Sequence, residues 1–244
     1  MVALITPTGY RRSQLTMCAE MMKRQTYKGN VVWIIVDDCS PISTDVVPEN
    51  FRDNWAIIKT FPSPSWRPGL NTQGRNMSVG INKIYENFND SEIKAVFIIE
   101  DDDYYRPEYI TEMLKRMDGY KVIGEVNTLY YNVFFRRYAA NGNFQHSSLF
   151  QTAFTMDVIP IFRRCYMDKF IDAKFYQILA KKGVNLFSAD NLSIGIKGMP
   201  GRPGIGAGHT RMSGMKPDPG LNYLISLIGE DAKQYGRYYG GHRV

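Results

Sequence analysis

The sequence predicts an α/β domain with a doubly wound, mostly parallel sheet flanked by helices. Three features carry this reading. Short, continuous apolar runs are each closed by turn residues, helix-periodic segments lie between them, and acids and threonines gather where the runs end.

The first run, Val2–Ile5, stops at Thr6, Pro7, Thr8 and Gly9, a turn signal. Ser13 then precedes Leu15, Cys18, Met21 and Met22, spaced for one helix face. Val31–Val36 is a second buried strand, closed by Asp37 and Asp38, and Trp55–Thr60 is a third. Arg75–Phe88 has Ile81, Ile84, Tyr85 and Phe88 on one helical stripe. Ala95–Ile99 is the fourth strand and ends in Glu100, Asp101, Asp102 and Asp103. Pro107 suits the first turn of a helix whose stripe is Ile110, Met113, Leu114 and Met117. The second half is less regular. Tyr120–Ala139 suits one or two strands, and Phe170–Lys182 suits a helix stopped by Gly183. Lys197–Gly208 reads as a glycine-rich loop leading to His209, and Leu221–Ile228 as a short amphipathic segment. Sheets of this kind bind ligands at the carboxyl ends of their strands, where the polar residues fall. There is no GxGxxG after a strand and no GxxxxGK[ST], so neither a dinucleotide fingerprint nor a P-loop is supported.

The 244 residues are 44% apolar, ordinary for a packed domain and too high for a disordered chain. No apolar run approaches the roughly 20 residues of a membrane helix, and the N-terminus lacks a basic, then apolar, leader. Three cysteines without a CxxC pair exclude a disulfide scaffold and a cysteine-rich zinc module, and fit a cytoplasmic protein. The net charge of +6 is uneven: residues 160–244 carry +7 and residues 1–159 carry −1. A basic C-terminal third suits an anionic partner or simply a soluble surface.

Four consecutive acids at the end of a buried strand repel one another, and no Lys or Arg follows until Arg106. A divalent cation would offset that repulsion, and oxygen ligands suit Mn²⁺ or Mg²⁺; a solvated acidic loop is the plainer reading. The stretch Val96–Ile110 resembles the D-x-D region of family-2 glycosyltransferases of the GT-A fold, an apolar strand followed by D-x-D-D, a proline and a helix. Leu4–Arg11 resembles the family's opening strand and Pro-Thr turn. Trp33–Pro41 resembles its V-D-D-x-S segment, Gly74–Asn76 the A-R-N that opens a helix, and Phe170–Gly183 the E-D segment with its L-x-x-x-G ending. Five motifs in order span roughly residues 2–210.

The resemblance implies a GT-A domain over residues 1–210, with a nucleotide-sugar-binding half at 1–119 and an acceptor-binding half at 120–210. Residues 211–244 would be a basic, aromatic tail packed on or extending from it. It implies a nucleotide-diphosphate sugar as donor, a UDP-sugar before others, and inversion at the anomeric carbon. Asp38 would accept a hydrogen bond from the base, Thr6, Pro7 and Thr8 would line the nucleotide pocket, and Arg75 would sit near the base or diphosphate. Asp102 would be the main metal ligand, Glu100 would face ribose or metal-bound water, Asp101 would lie on the donor side, and Asp103 would support them. Glu100 departs from the first Asp of D-x-D.

Asp172 would be the catalytic base, since that step needs a carboxylate on a rigid element within reach of the acceptor hydroxyl. Its plainer reading is a residue that favours a helix N-terminus. Asp168 is its nearest rival, and Ile171 replaces the Glu of E-D. His209 would be a further metal ligand or an ordinary surface histidine, with Lys197, Arg202 and Arg211 near the diphosphate or acceptor. The acceptor would be a saccharide or lipid-linked glycan, or a hydroxymethylated base in DNA as for some bacteriophage glycosyltransferases. Two other classes stay open. A nucleotidyltransferase-like enzyme needs a Gly-rich basic loop after the first strand, of which Thr6–Arg12 is a poor version. A non-catalytic nucleotide-sugar- or DNA-binding relative would explain Ile171 and Glu100.

Overall fold

A computed structural model describes residues 1–39, 45–67, 69–140, 143–201, 209 and 213–240. The sheet is built on β1 (Val2–Thr8), β2 (Val31–Asp37), β3 (Trp55–Thr60) and β4 (Ala95–Ile98). These four are mutually parallel in the order β4-β1-β2-β3. β1 and β2 are buried along their whole length, which explains apolar runs that do not alternate with polar residues.

Successive residues of β1 feed opposite layers. Val2 and Leu4 pack with Leu15, Cys18 and Met22 of α1 (Arg12–Lys23), and with Ile110 and Met113 of α3 (Tyr109–Arg116). Ala3 and Ile5 pack with Met77, Ile81 and Ile84 of α2 (Gln73–Asn87). The doubly wound arrangement expected from the sequence is therefore present, and α1 and α3 bury the stripes their periodicity marked; on α2 Ile81 and Ile84 are buried, Phe88 is partly buried and Tyr85 is 41% exposed.

The second half extends this sheet and adds another. β6 (Val122–Glu125), β9 (Thr152–Phe154) and β10 (Val184–Phe187) complete seven strands in the order β10-β6-β9-β4-β1-β2-β3. Only β9 runs antiparallel to its neighbours, β4 and β6. A five-stranded sheet has the order β12-β8-β7-β11-β5. Its strands are β5 (Tyr104–Tyr105), β7 (Leu129–Asn132), β8 (Arg137–Ala140), β11 (Ser193–Lys197) and β12 (Lys216–Pro217). The Tyr120–Ala139 region thus supplies three strands rather than one or two. Lys197, expected at the start of a loop, is the buried last residue of β11.

α4 (Ile159–Arg163) and α5 (Ile171–Leu179) cover the β6–β9 side. α5 stops three residues before the expected end because Ala180 and Lys181 adopt left-handed φ values of 47° and 65°. The C-terminal segment is packed in. Leu224 of α6 (Asn222–Ile228) and Ala232 and Tyr235 of α7 (Ala232–Gly236) join the core. Buried Asp218 ties this segment to β7 by accepting from the Tyr131 hydroxyl at 2.9 Å and the Tyr223 and Leu224 amides at 3.1 and 3.2 Å. No helix among the described residues is long and apolar enough to cross a membrane.

Trp33 anchors the sheet at β2. Its ring meets Phe51 and Trp55 edge-on at 5.3 and 5.9 Å, and its indole N–H donates to Thr6 Oγ1 at 2.9 Å. Trp33→Ala should cost about 3–5 kcal/mol of unfolding free energy, the usual range for a buried aromatic. Urea denaturation followed by circular dichroism measures it.

Candidate active site at the carboxyl ends of the parallel strands

A cleft of about 320 Å³ lies where β1 and β4 end. Pro7 and Arg11 line it from the β1 side, Trp66 and residues 69–73 from the approach to α2, and Glu100, Asp101 and Asp102 from the end of β4. Lys197 and His209 complete the wall. The topology brings Lys197 to the acids because β11 pairs with β5, which directly follows them.

The acids are sorted by the shape of this turn. Asp101 and Asp103 are buried and Asp102 is 9% exposed. Thr8 Oγ1 donates to Asp101 Oδ2 at 2.6 Å. Arg11 bridges two acids, with Nη1 3.3 Å from Asp101 Oδ1 and Nη2 paired with Asp102 Oδ2. Gln73 Nε2 donates to Glu100 Oε1 at 3.0 Å. Asp103 Oδ1 accepts from the Ile196 amide at 2.8 Å and lies 3.5 Å from Lys197 Nζ. Asp103 Oδ2 is buried with no hydrogen-bond partner among the described residues.

Fully ionised, these four carboxylates and the Arg11 and Lys197 cations would leave two negative charges unmatched. Burial therefore pushes the Asp103 carboxyl well above its ordinary range, with Asp102 and Glu100 adding to the effect and Lys197 opposing it. Burial, aided by Asp102 and opposed by Lys197 and Arg11, raises Glu100 to about 7. Burial would also raise Asp102, but Arg11, Lys197 and His209 outweigh it and hold that carboxyl low. Burial alone would lower Lys197, yet Asp103, Asp102 and Glu100 raise it, so the lysine stays charged.

The residues fit a hard divalent cation. Glu100, Asp102 and Asp103 each offer an oxygen within 4.8 Å of the others. The donor set is all carboxylate, the excess charge is negative, and Asp103 Oδ2 has no hydrogen-bond partner among the described residues.

The other expected site residues are distributed around this cluster. Pro7 lines the cleft, whereas Thr6 faces the core against Trp33 and Thr8 is buried against Asp101. Asp38 is buried at the end of β2. Its Oδ2 accepts from Asn76 Nδ2 at 2.8 Å and from Thr72, and pairs with Arg75 at 3.4 Å, which fixes the start of α2. Asp172 is half-buried in the first turn of α5, near enough for its charge to raise Glu100. Ile171 beside it is a core residue. Arg202 and Arg211 lie outside the described residues. Sequence reasoning passed over Arg11 as a contributor, and Trp66 and Gln73 entirely. Their one signal was position, beside the first strand's turn and ahead of the Gly74–Asn76 motif.

No protein-family model matches the chain, and no curated protein sequence matches it. Solved structures do. S. aureus TarS 1-349 in complex with UDP-GlcNAc aligns with a TM-score of 0.60 at 15% identity, over 83% of this chain and 60% of that chain. The same protein in complex with UDP gives 0.56 at 15% identity, over 80% and 60%. The fold is GT-A. A longer TarS chain gives 0.57 at 14% identity and is covered over only 37% of its length. This GT-A chain thus spans about 60% of the shorter TarS form and much less of the longer one.

The charge balance makes stability pH-dependent. The folded chain keeps the Glu100 proton up to about pH 7, whereas an unfolded chain releases it near 4.5. Without cations, stability should therefore fall as pH rises through that window, by at most about 1.4 kcal/mol per pH unit for one proton. Glu100→Gln should remove that part of the slope in urea titrations with EDTA between pH 4.5 and 8.

Proposed function

We propose that the chain is a glycosyltransferase that moves a sugar from a UDP-sugar to a hydroxyl acceptor with inversion at the anomeric carbon. The observation that carries this is the cleft itself. It sits at the carboxyl ends of β1 and β4, joins Glu100, Asp101 and Asp102 to Lys197 and His209, and belongs to a fold shared with structures that bind UDP and UDP-GlcNAc.

Pro7 and Trp66 line the cleft and would flank the base, while Asp38, paired with Arg75, fixes the start of α2, where Thr72 and Gln73 line the cleft too. Glu100, Asp102 and Asp103, with His209, would hold Mn²⁺ or Mg²⁺, which when bound offsets the charge of the diphosphate. Lys197, kept charged by its carboxylate neighbours, would offset the charge that develops as the diphosphate departs. Asp172 receives the proton. The acceptor oxygen attacks the anomeric carbon, the bond from that carbon to the diphosphate breaks, and the hydroxyl proton passes to the Asp172 carboxylate.

The acceptor is a saccharide or lipid-linked glycan, with a hydroxymethylated base in DNA as the second choice. The exposed Arg163, Arg164 and Lys169 ahead of α5 favour an acceptor that carries phosphate.

Calorimetric titration with UDP should show binding in Mn²⁺ that EDTA abolishes, and Asp102→Asn should lose it. Absence of UDP binding in either buffer would reject the donor assignment. Asp172→Asn should lower kcat about 10²–10⁴-fold, the range for a lost general base, while UDP affinity holds. UDP-sugar binding without turnover on any glycan or modified DNA would instead assign a non-catalytic relative.

A further inference from the structure

Arg11 holds a position that a simple nucleotide cleft does not require. It lines the cavity, yet its side chain is only 13% exposed because both terminal nitrogens are spent on Asp101 and Asp102. Its Nε is buried and has no hydrogen-bond partner among the described residues, so Asp101 and Asp102 are the partners the structure shows for the guanidinium. Its stem passes near Gly201, where an added Cβ would lie 3.7 Å from Arg11 Cγ. The residue before it, Tyr10, is 66% exposed, has a left-handed φ of 54°, and meets Trp66 edge-on at 6.3 Å. Arg11 therefore holds one of the two Asp102 oxygens, beside the carboxylates that a divalent cation would use and on the wall of the cleft.

Two positive groups on one carboxylate repel each other. A cation arriving alone at Asp102 must repel or displace Arg11, leaving a largely buried guanidinium with Asp101 as its one carboxylate partner, which is costly. A diphosphate arriving alone meets Arg11 already neutralised by two acids. When both arrive, the cation takes Asp102 and the diphosphate offers Arg11 new acceptors.

We propose that Arg11 is a built-in counter-ion that couples divalent-cation binding to nucleoside-diphosphate binding, so that each ligand alone binds weakly and the two together bind well. The inference rests on the donor and cation reading given above. It adds that Arg11, through its exchange between Asp102 and the diphosphate, makes the coupling positive. By linkage the effect is reciprocal, each ligand tightening the other by the same factor.

The test uses Mn²⁺ and UDP with the full chain. In wild type, Mn²⁺ affinity should rise about tenfold or more at saturating UDP, within the usual range of coupling between sites. In Arg11→Met, Mn²⁺ alone should bind about tenfold tighter than to wild type, and the UDP enhancement should shrink toward unity. Thermal unfolding of wild type gives a check that needs no variant. The Tm rise with Mn²⁺ and UDP together should exceed the sum of the separate rises. Equal Mn²⁺ affinity in wild type and Arg11→Met, or additive Tm shifts, would overturn the role of Arg11 while leaving the UDP site standing. No binding of UDP to wild type with or without Mn²⁺ would overturn both.

Discussion

Charge confinement at the end of β4 governs the architecture around the cleft. Glu100–Asp103 emerge from a strand buried on both faces, and water cannot solvate all four carboxyl groups. The acids are met by groups from different parts of the chain: Thr8 at the end of β1 and Arg11 just before α1, Gln73 at the start of α2, and Lys197 and the Ile196 amide at the end of β11. The two sheets meet here, and both supply partners: Thr8 from β1, and Lys197 and the Ile196 amide from β11. A second buried acid, Glu125, keeps the junction in register by accepting from the Leu192 and Ser193 amides at 2.9 and 3.2 Å. It fixes where β11 starts, and so where Lys197 ends up.

The compensation is incomplete, and this links the fold to its proposed chemistry. A fully satisfied cluster would be a structural ion-pair network. In this one burial raises the Asp103 and Glu100 carboxyls above their ordinary range, and Asp103 Oδ2 has no hydrogen-bond partner among the described residues. Perturbed carboxyls gathered in a cleft are the groups on which a charged ligand or cation would act. The apolar layers behind, from Trp33 through Ile5 to Ile81, give the site a rigid backing.

The first half of the fold was legible because β1, β2 and β4 are buried on both sides and its helices are amphipathic. Val31–Val36 and the Ile81 and Ile84 positions of the second helix announce themselves by composition and period. β5, β9 and β12 are two or three residues long and take their pairing from the surrounding tertiary structure, which local sequence does not encode. The acids and Lys197 could be picked out as chemistry-bearing residues. Arg11 could not be given a role, because only folding shows that the first turn of α1 points back at the end of β4. The end of α5 escaped because two non-glycine residues, Ala180 and Lys181, take the left-handed conformation expected of Gly183.

The most direct test of the account is diffraction from crystals grown with Mn²⁺ and UDP, with data collected at the manganese edge. The account predicts one strong anomalous peak in the cleft within coordination distance of Asp102, with the diphosphate beside it. A diphosphate bound in the cleft with no manganese near Glu100, Asp102 or Asp103, or manganese bound only elsewhere, would contradict it.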